Sequence, residues 1–161
     1  AMALRFGTAW HAAMEARWSK LPFDDALKAA LATASDFDEG TVATLSGLLA
    51  GYYERWAEDP VKELCAEVEF RSPLMNSRTF DVAGKIDGLG ILHDGRLALV
   101  EHKTTSADVG PDSDYWLRLR SNPQINQYVL AARSLGWDVA AVIYDVTRKP
   151  SIRVKQSETP E

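Results

Sequence analysis

Gly84-Lys85-Ile86-Asp87-Gly88-Leu89-Gly90-Ile91-Leu92-His93-Asp94-Gly95-Arg96-Leu97-Ala98-Leu99-Val100-Glu101-His102-Lys103-Thr104-Thr105 reads as two apolar strands joined by a tight turn. An aspartate stands near the start of this stretch, on the first strand, and a Glu-x-Lys triplet closes the second. Ends of strands rich in Val, Leu and Ile normally bury their side chains, and three ionisable groups there are costly unless they hold something.

Register sharpens this. Alternate strand residues share a face, so Glu101 and Lys103 point one way and His102 the other. A two-residue loop, Asp94-Gly95, would pair Asp87 with His102 and put the carboxylates on opposite faces. A three-residue loop, His93-Asp94-Gly95 with Gly95 left-handed, pairs Leu92 with Arg96, Ile91 with Leu97, Leu89 with Leu99 and Asp87 with Glu101. The second register also matches leucine to leucine, and it, or an equivalent bulge at Gly88 or Gly90, is the one expected. It brings Lys85 near Lys103 unless a glycine bulge intervenes.

Around this hairpin the chain divides. Residues from about 3 to 19 form an expected helix with Phe6, Trp10, Met14 and Trp18 at i, i+4 steps. His11 sits beside that stripe, one turn before Glu15, and on spacing alone is a partly buried structural histidine. A second helix runs from Pro22 to about Thr33, with Asp24 and Asp25 favouring its start. After a turn at Asp36 to Gly40, a third spans Thr41 to Ala57 and closes at Asp59-Pro60. Short strand patterns follow at Val61 to Leu74, Thr79 to Leu92 and Leu97 to Thr104, with turns at Ser72-Pro73, Asn76-Ser77-Arg78 and Asp94-Gly95. Thr105 to Ser121 is a polar stretch. Pro123 to Leu135 is a helix with Pro in its first turn and Gly136 as its stop. Trp137 to Thr147 is a mostly apolar run suited to a buried strand, and Arg148 to Glu161 is a polar tail.

The 161 residues, 46% hydrophobic and 25% charged, suit one α/β domain spanning 1–161: a helical part over about 3–58, a sheet and helix over about 61–148, and a tail over 149–161. No run approaches the roughly 18 apolar residues of a membrane span and no signal pattern opens the chain, so a soluble cytoplasmic protein without membrane partners is expected. The lone Cys65 is a packing residue and leaves no internal disulfide or four-cysteine metal site. A net charge of -5 argues against coating nucleic acid through overall charge, but not against a local basic rim. Ala1-Met2-Ala3 reads as an expression scar followed by a start inside a longer natural chain.

Two carboxylates presented together suit a hard divalent cation such as Mg²⁺, with a lysine beside them to orient water or neutralise charge. The bland alternative is a cross-strand ion-pair cluster on a solvated face.

Gly84-Lys85-Ile86-Asp87-Gly88 and Val100-Glu101-His102-Lys103-Thr104-Thr105, with thirteen residues between Asp87 and Glu101, resemble the core motif of the PD-(D/E)XK nuclease superfamily, in particular its RecB-like and phage exonuclease branch. Gly7-Thr8-Ala9-Trp10-His11 is similar to that branch's Gly-x-x-x-His motif, and Gln124-Ile125-Asn126-Gln127-Tyr128 to its Gln-x-x-x-Tyr motif. The resemblance implies a restriction-endonuclease-like α/β core, a mixed sheet flanked by helices. It implies a metal held by His11, Asp87, Glu101 and the main-chain carbonyl of His102, with Glu69 as a further acidic residue and Glu67 competing for that role. Lys103 becomes the catalytic lysine, and Gln124 and Tyr128 hold DNA.

A histidine ligand makes Mn²⁺ acceptable beside Mg²⁺, and the missing cysteines leave no iron-sulfur cluster. Expected partners are linear DNA ends, with a homo-oligomer or a recombination protein as further ones, in a bacterial or phage-infected cell. The implied activity is exonucleolytic, in recombination, repair or phage replication. A non-cutting DNA-end-binding module and a structural subunit of a helicase-nuclease complex are the alternatives. Many relatives carry residues before the Gly-x-x-x-His helix and after the last strand, which implies a chain trimmed at one or both ends.

Two basic groups stay open. Trp116 with Arg118 and Arg120 suits base stacking and phosphate contact, or else a cap with solvated arginines. Arg133, Arg148, Lys149, Arg153 and Lys155 form a second rim or an ordinary solvated face.

Overall fold

The computed structural model describes residues 2–73 and 77–151. The chain begins with three helices, α1 (Met2–Trp18), α2 (Phe23–Ala32) and α3 (Glu39–Arg55). Phe6, Trp10 and Met14 of α1 are buried as their spacing requires, against Ala26 and Ala30 of α2 and Leu45, Leu49 and Tyr52 of α3. Burying each large apolar side chain contributes about 1.5–3 kcal/mol. Trp10 meets Tyr52 edge to face at 5.7 Å, and the Asp38 carboxylate caps α3 by accepting from the Thr41 N–H at 2.7 Å.

Four strands follow in the order β1-β2-β3-β4: β1 (Val61–Pro73), β2 (Asp81–Leu92), β3 (Leu97–Thr105) and β4 (Val139–Arg148). The first three are antiparallel neighbours and β4 joins β3 in parallel. A parallel neighbour needs a crossover, and α4 (Asp114–Arg120) and α5 (Pro123–Ser134) supply it. The Asn122 side chain caps α5 by accepting from the Gln124 N–H. Gly136, at φ +90°, ends it.

The sheet is covered on one face by α5, where Ile125, Ala131 and Ala132 pack on Phe70, Ile86, Leu89, Leu99 and Val139. Trp18, at the end of α1, meets the other face with Val61 and Val100. This is the expected mixed α/β sheet with a helical first third.

Two expectations change. The polar stretch contains a helix, α4, whose seven residues carry a single buried side chain, Leu119, too little for an apolar period to reveal. Strand β4 is not buried: it forms a sheet edge, and Val142 is exposed. Val139 and Tyr144 pack on the α5 side and Ile143 on the Trp18 side, but among the described residues no strand pairs with its outer edge. The turn residue Asn76 and tail residues 152–161, including Arg153 and Lys155, lie outside the described residues.

Candidate metal and nucleic-acid site

The β2–β3 loop has the three-residue form. Leu92 and Arg96 are joined by a main-chain bond of 2.9 Å, Gly95 is left-handed at φ +84°, and Ile91 pairs with Leu97 and Leu89 with Leu99. The ladder ends at Gly88 and Val100, so the expected Asp87–Glu101 rung is not made. Instead the Asp87 carboxylate accepts the His102 main-chain N–H at 2.7 Å. The strands part there, and an aspartate side chain satisfies an amide that would otherwise be orphaned.

Asp87 also reaches α1. Its other oxygen lies 3.2 Å from His11 Nδ1. The reason lies in β1 and β2 together. Cys65 and Val68 both pack on the α5 side, although they are three residues apart, and so do Ile86 and Leu89. An odd interval on one face means that alternation breaks in both strands at the same place. In β1 the break falls at Glu67, a non-glycine residue at φ +53°, a conformation that costs roughly 1 kcal/mol or more. Between the rungs Ala66–Gly88 and Val68–Ile86, Glu67 and Asp87 thereby turn toward α1. One ligand atom from each of His11, Glu67 and Asp87 lies within 4.8 Å of the others.

Glu67 also forms an ion pair with Lys85. Glu69 is exposed and is not in this group, so the acidic residue of β1 that joins His11 and Asp87 is Glu67. Spacing could not choose between them, because the choice depends on the broken alternation.

Glu101 lies outside the three-residue group. It is 2% exposed; one oxygen pairs with the Lys103 ammonium, and Oε2 is buried without a hydrogen-bond partner among the described residues. Burial, followed by the charge of Asp87, raises the Glu101 carboxyl above its ordinary range despite Lys103. Asp87 is lowered: burial opposes its charge, but the His11 and His102 contacts outweigh it. The Lys103 ammonium, disfavoured by burial, is nonetheless held above the usual lysine range by Glu101 and Asp87. His11 is raised by its bond to Asp87, against burial. Lys85 and Lys103 stand at the same cavity as His11 and Glu67.

Gln124 and Tyr128 are one helical turn apart on α5, and the Gln124 amide donates to the Tyr128 hydroxyl at 2.7 Å. The Tyr128 ring leans edge-on against Phe70, and its hydroxyl feels the charges of Glu101, Asp87 and Lys103. Trp116 is half-buried, with its indole N–H donated to the Val109 carbonyl at 3.1 Å. Arg118 and Arg120 are exposed, as are Arg133 and Arg148, although Arg133 donates to the Val139 carbonyl. The His102 ring faces away from Lys103 and meets Asp145 at 2.8 Å. Asp145 and its second donor, Tyr52, carry no motif that would have marked them.

A comparison with protein-family models matches the PD-(D/E)XK nuclease superfamily over residues 1–161. The chain belongs to that superfamily. No curated protein matches it. Membership implies a nuclease that acts on DNA and uses divalent metal, and His11, Glu67 and Asp87 are a candidate group for such an ion in this PD-(D/E)XK chain. The donor set fits: two carboxylates and an imidazole, with the unpartnered Glu101 oxygen beside them. Among the described residues no helix is long and apolar enough to cross a membrane.

These shifts set a pH profile for the metal-free protein. Asp87 and Asp145, both lowered, contribute stability above the ordinary 3.8 that is lost as pH falls through their folded values. His11 and Glu101, both raised, contribute stability at low pH that is lost as pH rises past 6.5 and 4.5 through their folded values. Calorimetric Tm is therefore expected to peak at mildly acid pH, and Mn²⁺, which binds deprotonated ligands, should move the maximum upward. A metal-free maximum on the alkaline side would contradict this account of the site.

Proposed function

We propose that the chain is a Mg²⁺- or Mn²⁺-dependent deoxyribonuclease, an exonuclease acting on linear ends in recombination, repair or phage replication. The observation that carries the reading is Asp87, held between His11 and the His102 amide where β2 and β3 part, beside the Glu101–Lys103 pair. An ordinary surface ion-pair cluster would not bury Glu101 with an unpartnered oxygen.

Asp87, Glu101, His11 and the main-chain carbonyl of His102 would hold the ion, with Glu67 as the acidic residue from β1. Once bound, a divalent ion stabilises charge gathering on phosphoryl oxygens and makes water a better nucleophile at neutral pH. Lys103, kept protonated, orients the attacking water and offsets charge on the phosphate. The Tyr128 hydroxyl accepts from Gln124, which leaves its own hydrogen free to donate to a phosphate oxygen near the metal. The Trp116 ring, its N–H already committed, offers a stacking face to an unpaired base, and Arg118 and Arg120 contact the backbone.

The test is incubation with Mg²⁺ or Mn²⁺ and end-labelled linear or closed circular DNA. Linear DNA should be degraded from its ends, circles should survive, and EDTA should stop the reaction. Cleaved circles would replace the exonuclease by an endonuclease, and intact DNA with both metals would leave the binding-module alternative.

A further inference from the structure

His102 sits between Glu101 and Lys103, and its main-chain N–H holds Asp87. Its side chain is built into a separate buried array on the other side of β3. The imidazole, 2% exposed as a residue, is 2.8 Å from Asp145 Oδ2, on the β4 residue that pairs with it. The Tyr52 hydroxyl donates to that same oxygen at 2.5 Å. The Trp18 ring meets the imidazole edge to face at 5.8 Å, and the Arg17 guanidinium lies 5.0 Å from the Tyr52 ring. Side chains from α1, α3 and β4 thus converge on one imidazole.

Burying a histidine, an aspartate and a tyrosine costs more than burying apolar residues of the same size, and a stable sheet does not need them. A cavity of about 190 Å³ lies beside the ring, lined by Trp18, Tyr52, Val61, His102, Tyr144 and Asp145, so the imidazole is not close-packed on every side, and the Asp145 hydrogen bond fixes its orientation.

We infer that Asp145, with Tyr52, is a positioning residue: by fixing the His102 side chain it sets the peptide that holds Asp87 and the directions of Glu101 and Lys103. Groups that orient metal-binding residues from behind are commonly worth 10–100-fold in metal affinity or activity. The inference rests on the metal-site reading above.

Asp145→Leu removes the acceptor while keeping bulk. Asp145→Asn keeps an acceptor oxygen, and because both bonds end on one oxygen, its carbonyl can take both. Leu45→Ala, in the helical core, controls for lost stability. Mn²⁺ affinity by calorimetry, kcat and KM on linear DNA, and Tm are measured where all variants are folded. Asp145→Leu should lower Mn²⁺ affinity or kcat by roughly 10–100-fold without a matching change in KM. Asp145→Asn should recover most of the loss, and Leu45→Ala should keep wild-type affinity and kcat. Wild-type values in Asp145→Leu, or an equal loss in Leu45→Ala, would overturn the inference alone. A wild-type chain that binds no Mn²⁺ would overturn the metal-site reading and this inference with it.

Discussion

Lys103→Ala is expected to slow DNA cleavage by roughly 10²–10⁴-fold, the range for a side chain that assists proton transfer or stabilises charge in the transition state. That is about 3–5 kcal/mol of transition-state stabilisation. The loss should fall on kcat. Mn²⁺ affinity should be kept or should rise, because Lys103 is a cation beside Asp87 and Glu101 and removing it lowers repulsion toward an incoming ion. The fold should survive, since the Lys103 side chain is 26% exposed and contributes to none of the apolar clusters. Its removal leaves Glu101 buried without its only ion-pair partner among the described residues, which pushes that carboxyl further toward its neutral form until metal binds. Single-turnover cleavage paired with calorimetry separates the two effects. Cleavage at the wild-type rate in Lys103→Ala would remove the lysine from the reaction.

The second large effect is on stability. A Cβ at Gly88 would lie 2.5 Å from Trp18 Cζ3 and 2.7 Å from its Cη2. These are ring atoms of a side chain only 7% exposed, so the ring must be displaced. Overpacking of this kind costs about 1–3 kcal/mol, or roughly 2–12 °C in Tm for a chain of this size. Gly88→Ala should also weaken Mn²⁺ binding, because the same Trp18 ring rests against His102 and Gly88 follows Asp87 directly. Gly95→Ala offers a contrast. There the added Cβ meets nothing within 4 Å, and its cost comes from the left-handed backbone at φ +84°, so metal binding should be untouched. Equal Mn²⁺ losses in the two variants would disconnect the Trp18 contact from the site.

Much of this was readable because it is local. Phe6, Trp10 and Met14 announce the α1 stripe by their spacing, and Pro123 with Gly136 bound α5 by backbone rules that act over a few residues. The leucine-to-leucine match across His93-Asp94-Gly95 selects the loop, since a one-residue slip would turn every side chain over. Helix α4 escaped because seven residues with one buried side chain carry no period. Strand β4 looked buried because apolar content does not say whether another strand will pair on the far side.

The site divides along the same line. Asp87 and the Glu101-x-Lys103 triplet stand out by residue type and spacing, as carboxylates and a lysine at strand ends, whereas His11 and Gln124 with Tyr128 are singled out only by the resemblance to the superfamily's motifs. Only tertiary structure decided that Glu67 and not Glu69 turns toward His11, because that depends on β1 and β2 losing alternation at the same rung. The same holds for Asp87, whose carboxylate serves the His102 amide where the sequence predicts a rung with Glu101. It holds also for Asp145 and Tyr52, which are 93 residues apart and meet only because β4 crosses over to lie beside β3. Residue types and short-range spacing are written in the chain. Which side chains then share one small volume is set by where strands part and how helices cover them, and no single segment encodes that.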